Sequence, residues 1–378
     1  MNHAFPTLGI LGGGQLGRMT ALAAIRMGLK VRFLSPHPAG PMEGLGESFV
    51  GDWTDTALLA HFMDGCTVVT VESEWAPAEH AARVLPAGTS LWPHPETLRL
   101  IRDKGLQKNT LVKAGLPVPA FSCCSDLATA QSAAQTFGYP VMLKRYRGSY
   151  DGYGNATVRD AAALAAAWER LADTDGLLVE AWVPFVNELS VLVARRPDGE
   201  SAVYPVAFTE QRDHRCHAVV VPAGIEASIA AEAQRVAVAA VEAVGGVGLT
   251  GVELFELPDG TVLLNELAPR PHNTGHYTIE GSYTSQFENH IRAILGWPLG
   301  DPGLREPVAV MVNILGHRTG LPSTQGLLEA LSIPGVAVHI YGKKDVKPRR
   351  KMGHVTVTGR NPEEALQRAE QAAALIEL

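Results

Sequence analysis

The chain has 378 residues, of which 46% are hydrophobic and 19% charged, with a formal net charge of −7. That length exceeds one ordinary core and predicts two or three domains, and the composition excludes a disordered chain. The negative balance argues against bulk electrostatic binding of nucleic acid, and no apolar stretch is long enough to span a bilayer.

Residues 7–35 read as strand, glycine turn, helix and strand: TLGIL, GGGQLGRM, ALAAIRMGL, KVRFLS. Nothing before them resembles the basic n-region of a signal peptide. CTVVTVESE, 66–74, is another buried strand and ends in two acids. This alternation predicts a parallel α/β unit to about residue 95. WPHPETLRLIRDKGLQKNTLVKAGLPVP opens with prolines, runs as a helix and stops at Gly115. From 120 to about 300 the texture becomes α+β. Strands PVMLKRY, GLLVEAW, ELSVLVA, GVELFEL and TVLLNEL mix with hairpin turns and Ala-rich helices at 160–172 and 226–243. The last segment has strands AVMVNIL, VAVHIYG and HVTVTG before a closing helix from NPEEA. Cys66, Cys123, Cys124 and Cys216 show no zinc or CxxC spacing, which fits a reduced, cytoplasmic setting.

GGGQLG, 12–17, matches G-x-G-x-x-G between a strand and a helix. Ser35 stands where a dinucleotide site needs an acid, and the motif is not a P-loop. A dinucleotide, a tight turn without ligand, or some other phosphate or carboxylate held by bare helix N–H groups all remain open, the last favoured.

GVELFELPDGTVLLNEL carries Asp259-Gly260, a two-residue hairpin turn. If those two residues are the loop, Pro258 faces Thr261 and Glu253 sits opposite Glu266. Two carboxylates roughly 5 Å apart repel by about 3 kcal/mol at an effective dielectric near 20. Either one stays protonated or a cation sits between them, and carboxylate pairs with substrate phosphates are how Mg²⁺ is usually held. A one-residue slip would instead separate them.

Lys144, at the end of a strand and before RYRGSYDGYGN, suits a grip on triphosphate or, more blandly, a solvated hairpin. GLLVEAWVP with Glu188 beyond it can read adenine and ribose or be an ordinary core strand. The six Lys and Arg of GKKDVKPRRKMGH, 342–354, are a solvated loop or a phosphate contact.

Together and in this order these pieces resemble the ATP-grasp fold, and more narrowly the 5-(carboxyamino)imidazole ribonucleotide synthetase family of purine synthesis. The resemblance is carried by GILGGGQLGRM, RDK at 102–104, LKRYRGSYDG, NELAPRPHNTGH, TSQFENHIRAILG and PRRKMGH. It implies a pre-ATP-grasp domain over 1–95 and an ATP-grasp domain over 96–300 with a small subdomain near 120–185. A C-terminal domain over 301–378 would complete the acceptor site. It implies an ADP-forming ligase, commonly homodimeric, using ATP, Mg²⁺, bicarbonate and aminoimidazole ribonucleotide, with no nucleic acid or membrane partner.

Site roles follow from the resemblance. Lys104 and Lys144 hold phosphates, and Ser149, Tyr150, Asp151, Gly152, Tyr153, Gly154 and Asn155 close over them. Glu180, Ala181, Trp182 and Val183 take adenine, Glu188 takes ribose, and His214 and Asn265 also face the nucleotide. Glu253 and Glu266 carry the metal. Gln15, Leu16, Glu74, Tyr150, Asn273, Lys343 and Arg350 face the second substrate. Arg270, His272, Lys351 and Asp151 carry the catalytic chemistry, Arg270 as a fork for a carboxylate and His272 for protons, unless His272 and His276 merely order their loop. The chain departs from the family pattern at Tyr153 and Asn155 in the glycine loop, at FTEQRDHR, where the family's histidine is replaced or displaced, and at Arg349, where a glycine is usual. A formate-using glycinamide ribonucleotide transformylase and a nucleotide-binding paralogue without turnover are the alternatives.

Overall fold

A computed structural model describes residues 5–38, 40–148, 153–173, 175–213 and 215–378. The N-terminal strands form a five-stranded, all-parallel sheet in the order Glu47–Val50, Lys30–Ser35, Thr7–Leu11, Val68–Val71, Ser90–Leu91. Leu8, Ile10, Phe33, Leu34, Val68 and Val69 are all buried, as a parallel sheet covered on both faces requires. The glycine turn and the two acids Glu72 and Glu74 lie just beyond the carboxyl ends of these strands, with Ser35 the last residue of its strand, at the edge where such sheets bind ligands.

The segment after Pro93, read above as one helix, is two: Pro95–Arg102 and Lys104–Lys113. Asp103 stands between them in extended backbone, and its carboxylate accepts from Leu106 N at 3.0 Å. A short acid that caps the next turn competes with continuing the last one. The restart puts Lys104 and Lys108 one turn apart on the same helix face.

A four-stranded antiparallel sheet follows, in the order Phe121–Cys124, Leu177–Ala181, Val141–Arg145, Asn155–Val158. The helices Leu127–Phe137 and Ala161–Leu171 pack on it through Ala130, Ala134, Leu164 and Ala167. The largest sheet runs Val262–Ala268, Gly248–Glu256, Asn187–Arg195, Ala207–Arg212, Arg215–Val221, Val308–Leu315, Lys351–Gly359, Val336–Ile340. Its last three strands come from beyond residue 300. They join through Val308–Leu315, where Val310 pairs with Val220, so the change of texture near 300 is no break in backbone pairing. Ala227–Ala243 covers one end of this sheet and Pro362–Leu375 the other.

The acidic ribbon within it departs from the expected turn. Leu257 N donates to Thr261 O at 2.9 Å, so the loop has three residues, with Gly260 at φ 83°. That register alone would set Glu253 against Asn265. A β-bulge between Glu253 and Leu254 inserts Asn265 as an extra residue and restores Glu253 opposite Glu266. Val262, Leu264 and Leu267 face the core, leaving Asn265 and Glu266 together on the other face. Without the extra residue the alternation would still put Glu266 outward and Leu267 inward. Deleting Asn265 is therefore expected to leave the fold intact, with a melting temperature within a few degrees of the parent. The deletion should also weaken nucleotide binding, read by calorimetric titration.

Candidate active site

A cleft of about 1250 Å³ opens where the three sheets meet. Lys104, Lys144, Tyr153, Asn155, Asn265, Glu266 and Glu253 line its middle. Glu180, Ala181, Trp182, Val183 and Glu188 line one end, and Gln15, Leu16, Glu74, Arg270, His272, Asn273, Lys343, Arg350 and Lys351 the other. Gly154 does not reach the cleft; its carbonyl accepts from Arg145 N at 2.9 Å within the sheet. Ser149, Tyr150, Asp151, Gly152 and His214 lie outside the described residues.

The opposed acids dominate the electrostatics. Burial and the charge of Glu266 push Glu253 up to about 8. Burial would raise Glu266 as well, but Lys104, whose ammonium bonds its carboxylate, and Lys144 hold it well below the usual range. One glutamate thus keeps its charge through a lysine, while among the described residues its neighbour has no lysine or arginine in ion-pair contact. Two facing carboxylate groups, one of them under-compensated, are the donor set a hard divalent cation takes. The residues present fit Mg²⁺.

Behind them sits a buried trio that the sequence reading missed in part. Glu180 accepts from Lys144 Nζ at 2.7 Å through Oε1, and its Oε2 pairs with Lys108. Lys144 Nζ also lies 3.5 Å from Asn265 Oδ1. Lys108 was legible only as the i+4 partner of Lys104 once the helix restarts at Asp103. At the outer end, Trp182 and Phe185 are partly exposed, and Phe185 stacks on Phe255 with ring centroids 4.7 Å apart. Burial raises the Glu188 carboxyl.

The glycine turn already holds an anion. Gly14 N donates to Glu72 Oε1 at 2.6 Å and Gly17 N to Oε2 at 2.9 Å. A Cβ on Gly12 would fall 2.1 Å from Glu72 Cγ, so the glycine there makes room for this side chain. The turn is thus filled from within the chain, which matches the reading of a tight turn without ligand at Gly14 and Gly17 rather than the favoured bound phosphate or carboxylate, and Glu72 stands where a dinucleotide pyrophosphate would lie. The strand's first terminal acid was visible in the sequence, but its pairing with a turn some 58 residues away was not.

At the second end, Arg270 closes its fork on Glu74, with Nε to Oε2 at 2.7 Å and Nη2 to Oε1 at 3.4 Å. The fork expected to hold a substrate carboxylate thus already has an internal one, a pair that joins the N-terminal sheet to the acidic ribbon. Burial, then Arg270 and Lys351, push His272 down to about 3, so its ring is neutral at ordinary pH. Its Nδ1 lies 2.8 Å from Thr274 Oγ1, and its Nε2 lies 3.6 Å from Glu253 Oε1. Gln286 clamps the backbone of His272 on both sides, at 2.8 Å each, and reaches His276 Nδ1 at 3.0 Å. His276 is fully buried and lies off the cleft, so it orders the loop while His272 faces the site. Asn273 pairs with Asn313.

The basic run folds over this end. Lys343 Nζ donates to Lys351 O at 2.5 Å, and Arg350 Nη1 to Asp345 Oδ1 at 2.5 Å. Burial, then Arg350 and Lys351, bring Lys343 down to about 8. Arg349 has φ 68°, in the left-handed region that favours glycine.

Three family descriptions match the chain in order: a ribonucleotide synthetase preATP-grasp domain over residues 5–102, an ATP-grasp domain over 109–287, and a phosphoribosylaminoimidazole carboxylase C-terminal domain over 309–368. Fold and cleft together define an ATP-grasp protein. The chain is 42% identical over 368 residues to the phosphoribosylaminoimidazole carboxylase of Schizosaccharomyces pombe, covering 96% of this chain and 66% of that protein, so it spans about two thirds of that relative's length. It is 40% identical over 376 residues to the N5-carboxyaminoimidazole ribonucleotide synthase of Mycobacterium tuberculosis, covering 97% and 87%. The N5-carboxyaminoimidazole synthase of Aspergillus clavatus, solved with ADP and 5-aminoimidazole ribonucleotide, matches at 34% identity with a TM-score of 0.88 over 98% of both chains. The chain belongs to the N5-carboxyaminoimidazole ribonucleotide synthase family.

Replacing Glu72 by alanine strips the glycine turn of its acceptor. Each lost charge-assisted bond is worth about 1.5–3 kcal/mol. Chemical denaturation of Glu72→Ala is expected to show a loss of at least about 2 kcal/mol, and a variant as stable as the parent would contradict the role given to this anion.

Proposed function

We propose that the protein carboxylates 5-aminoimidazole ribonucleotide to its N5-carboxyamino product, using ATP and bicarbonate. The observation that carries this reading is the in-register pair Glu253 and Glu266 facing a cleft with Lys104 and Lys144 on one side and a basic loop on the other. A metal-acid pair beside lysines suits a nucleotide triphosphate, and the distal cations suit a second, phosphorylated substrate. No helix among the described residues is long and apolar enough to cross a membrane. A cytoplasmic homodimer belongs to the same reading, and sedimentation would measure its mass.

Bicarbonate is a poor electrophile, and phosphoryl transfer from ATP to give carboxyphosphate makes it a good one. Lys104 and Lys144 offset negative charge gathering on the transferring group. Mg²⁺, held by Glu253 and Glu266, supplies further neutralisation at the phosphate oxygens when bound. Trp182, Phe185 and the strand end at Ala181 give adenine a flat apolar seat, and Glu188 accepts from ribose hydroxyls.

At the other end, Gln15 N and Leu16 N stand in the first turn of the helix Gln15–Arg26, where N–H groups lack helical partners. With Lys343, Arg350 and Lys351 they suit the 5′-phosphate of the ribonucleotide. The Glu74–Arg270 pair presents a fixed carboxylate and guanidinium beside the acceptor amine and the carboxyl group it receives. His272 is neutral, and the burial and cations that keep it so make its ring too weak a base to hold the proton that the attacking amine loses, so it serves this end of the cleft as a neutral hydrogen-bonding group.

In a coupled assay, ADP release is expected only with ATP, bicarbonate and aminoimidazole ribonucleotide together. ADP release that instead depends on glycinamide ribonucleotide and formate would reverse the choice of substrate. In the same assay Glu266→Gln should cut turnover by at least about 100-fold while its circular dichroism stays that of the parent.

Lys343 gives a pH prediction. It is protonated below about 8 and neutral above. If its charge holds the ribonucleotide phosphate, kcat/KM for that substrate falls as pH rises through 8, since this ratio reports the free enzyme. Lys343→Arg stays charged and should remove the fall. A profile of unchanged shape in this variant would exclude Lys343 from the phosphate site.

A further inference from the structure

Lys108 does not line the cleft, yet it belongs to the charge system of the nucleotide grip. It sits one turn beyond Lys104 on the helix Lys104–Lys113 and is 2% exposed. Its ammonium pairs with Glu180 Oε2. Glu180 is 3% exposed and lies mid-sheet, opposite Phe121 and Met142. Its other oxygen accepts from Lys144 Nζ at 2.7 Å.

A buried carboxylate needs compensation, and an ion pair of this kind usually reads as structural. Here the second cation is Lys144, the lysine that faces the cleft beside Asn265 and Glu266. Lys144 has three donors, and only one of them is committed to Glu180 at close range. Were Glu180 compensated by Lys144 alone, its whole charge would pull that ammonium back into the small sheet. A phosphate in the cleft would then compete against a buried carboxylate for the same cation.

We propose that Lys108 is a positioning residue for the nucleotide: by neutralising half of Glu180 from behind, it leaves Lys144 able to turn its charge and remaining donors to a phosphate. This rests on reading the cleft as an ATP site. The chemistry needs a cation at 108 that never meets the ligand, which is why the residue is buried away from the cleft while its neighbour one turn earlier is not.

The test is ATP and ADP affinity by calorimetry, with a melting temperature for each protein. Lys108→Met should weaken ATP about tenfold or more, mostly in KM with little change in kcat, and Lys108→Arg should bind like the parent. The Glu180 carboxylate is buried and both its oxygens meet lysines, so its side chain is not the part of the strand left to face adenine; adding Glu180→Gln to Lys108→Met removes the competing carboxylate and should restore affinity to within about threefold, a rescue that a purely structural lysine would not give. A Lys108→Met protein that melts early but binds ATP normally would overturn the proposal, as would a double variant no better than the single. Should Lys108→Met not fold, the double variant decides, because it buries no lone ion. Binding near the parent's supports the proposal, and a loss as large as that of Lys144→Ala refutes it. Failure of the unsubstituted protein to bind ATP would instead defeat the nucleotide reading itself.

Discussion

Two carboxylates held opposite one another on adjacent strands set the terms for the rest of the cleft. With both charged, Glu253 and Glu266 would repel by an amount comparable to several hydrogen bonds, and burial together with the charge of Glu266 raises Glu253 to about 8. The fold keeps them together because the ribbon's inner face, Val252, Leu254, Val262, Leu264 and Leu267, is locked into the largest core. Nearby charges are arranged around that pair. Lys104 meets Glu266, the Arg270–Glu74 pair lies beside it, and Glu253 is left as the acid short of a cation.

Compensation by lysines alone would have made an inert salt-bridge cluster. The charges are instead divided: Lys144 is shared between Glu180 and Asn265, and Lys108 meets the other oxygen of Glu180. Lys104 and Lys108 come from one helix restarted by Asp103, and they address different acids. Lys144 comes from the small sheet, so its position relative to the ribbon depends on how that sheet sits over the large one. A site divided between sheets in this way can tighten on a ligand bound between them.

The second end of the cleft shows the same economy. Glu72 occupies the glycine turn and Glu74 occupies the Arg270 fork, so the two acids closing one parallel strand each fix a cationic or electropositive group of the site. Internal anions therefore hold the turn and the fork in shape. Gln286, buried in the helix Gln286–Ile294, does the same for the loop bearing His272.

The chemistry of this protein was largely written in short segments. Periodicity marked the strands and the Ala-rich helices, and the motif order pointed to an ATP-grasp chain, because those signals are local. The opposition of Glu253 and Glu266 was also legible, although the turn is not the two-residue one expected: a three-residue loop and a bulge at Asn265 offset each other. The partnerships across long separations came from packing alone. Glu72 in the glycine turn, Lys108 behind Glu180, Arg270 on Glu74, and the C-terminal strands in the central sheet are all of this kind. Residue type says that a charge needs a partner once buried; which partner it finds depends on how separate elements pack.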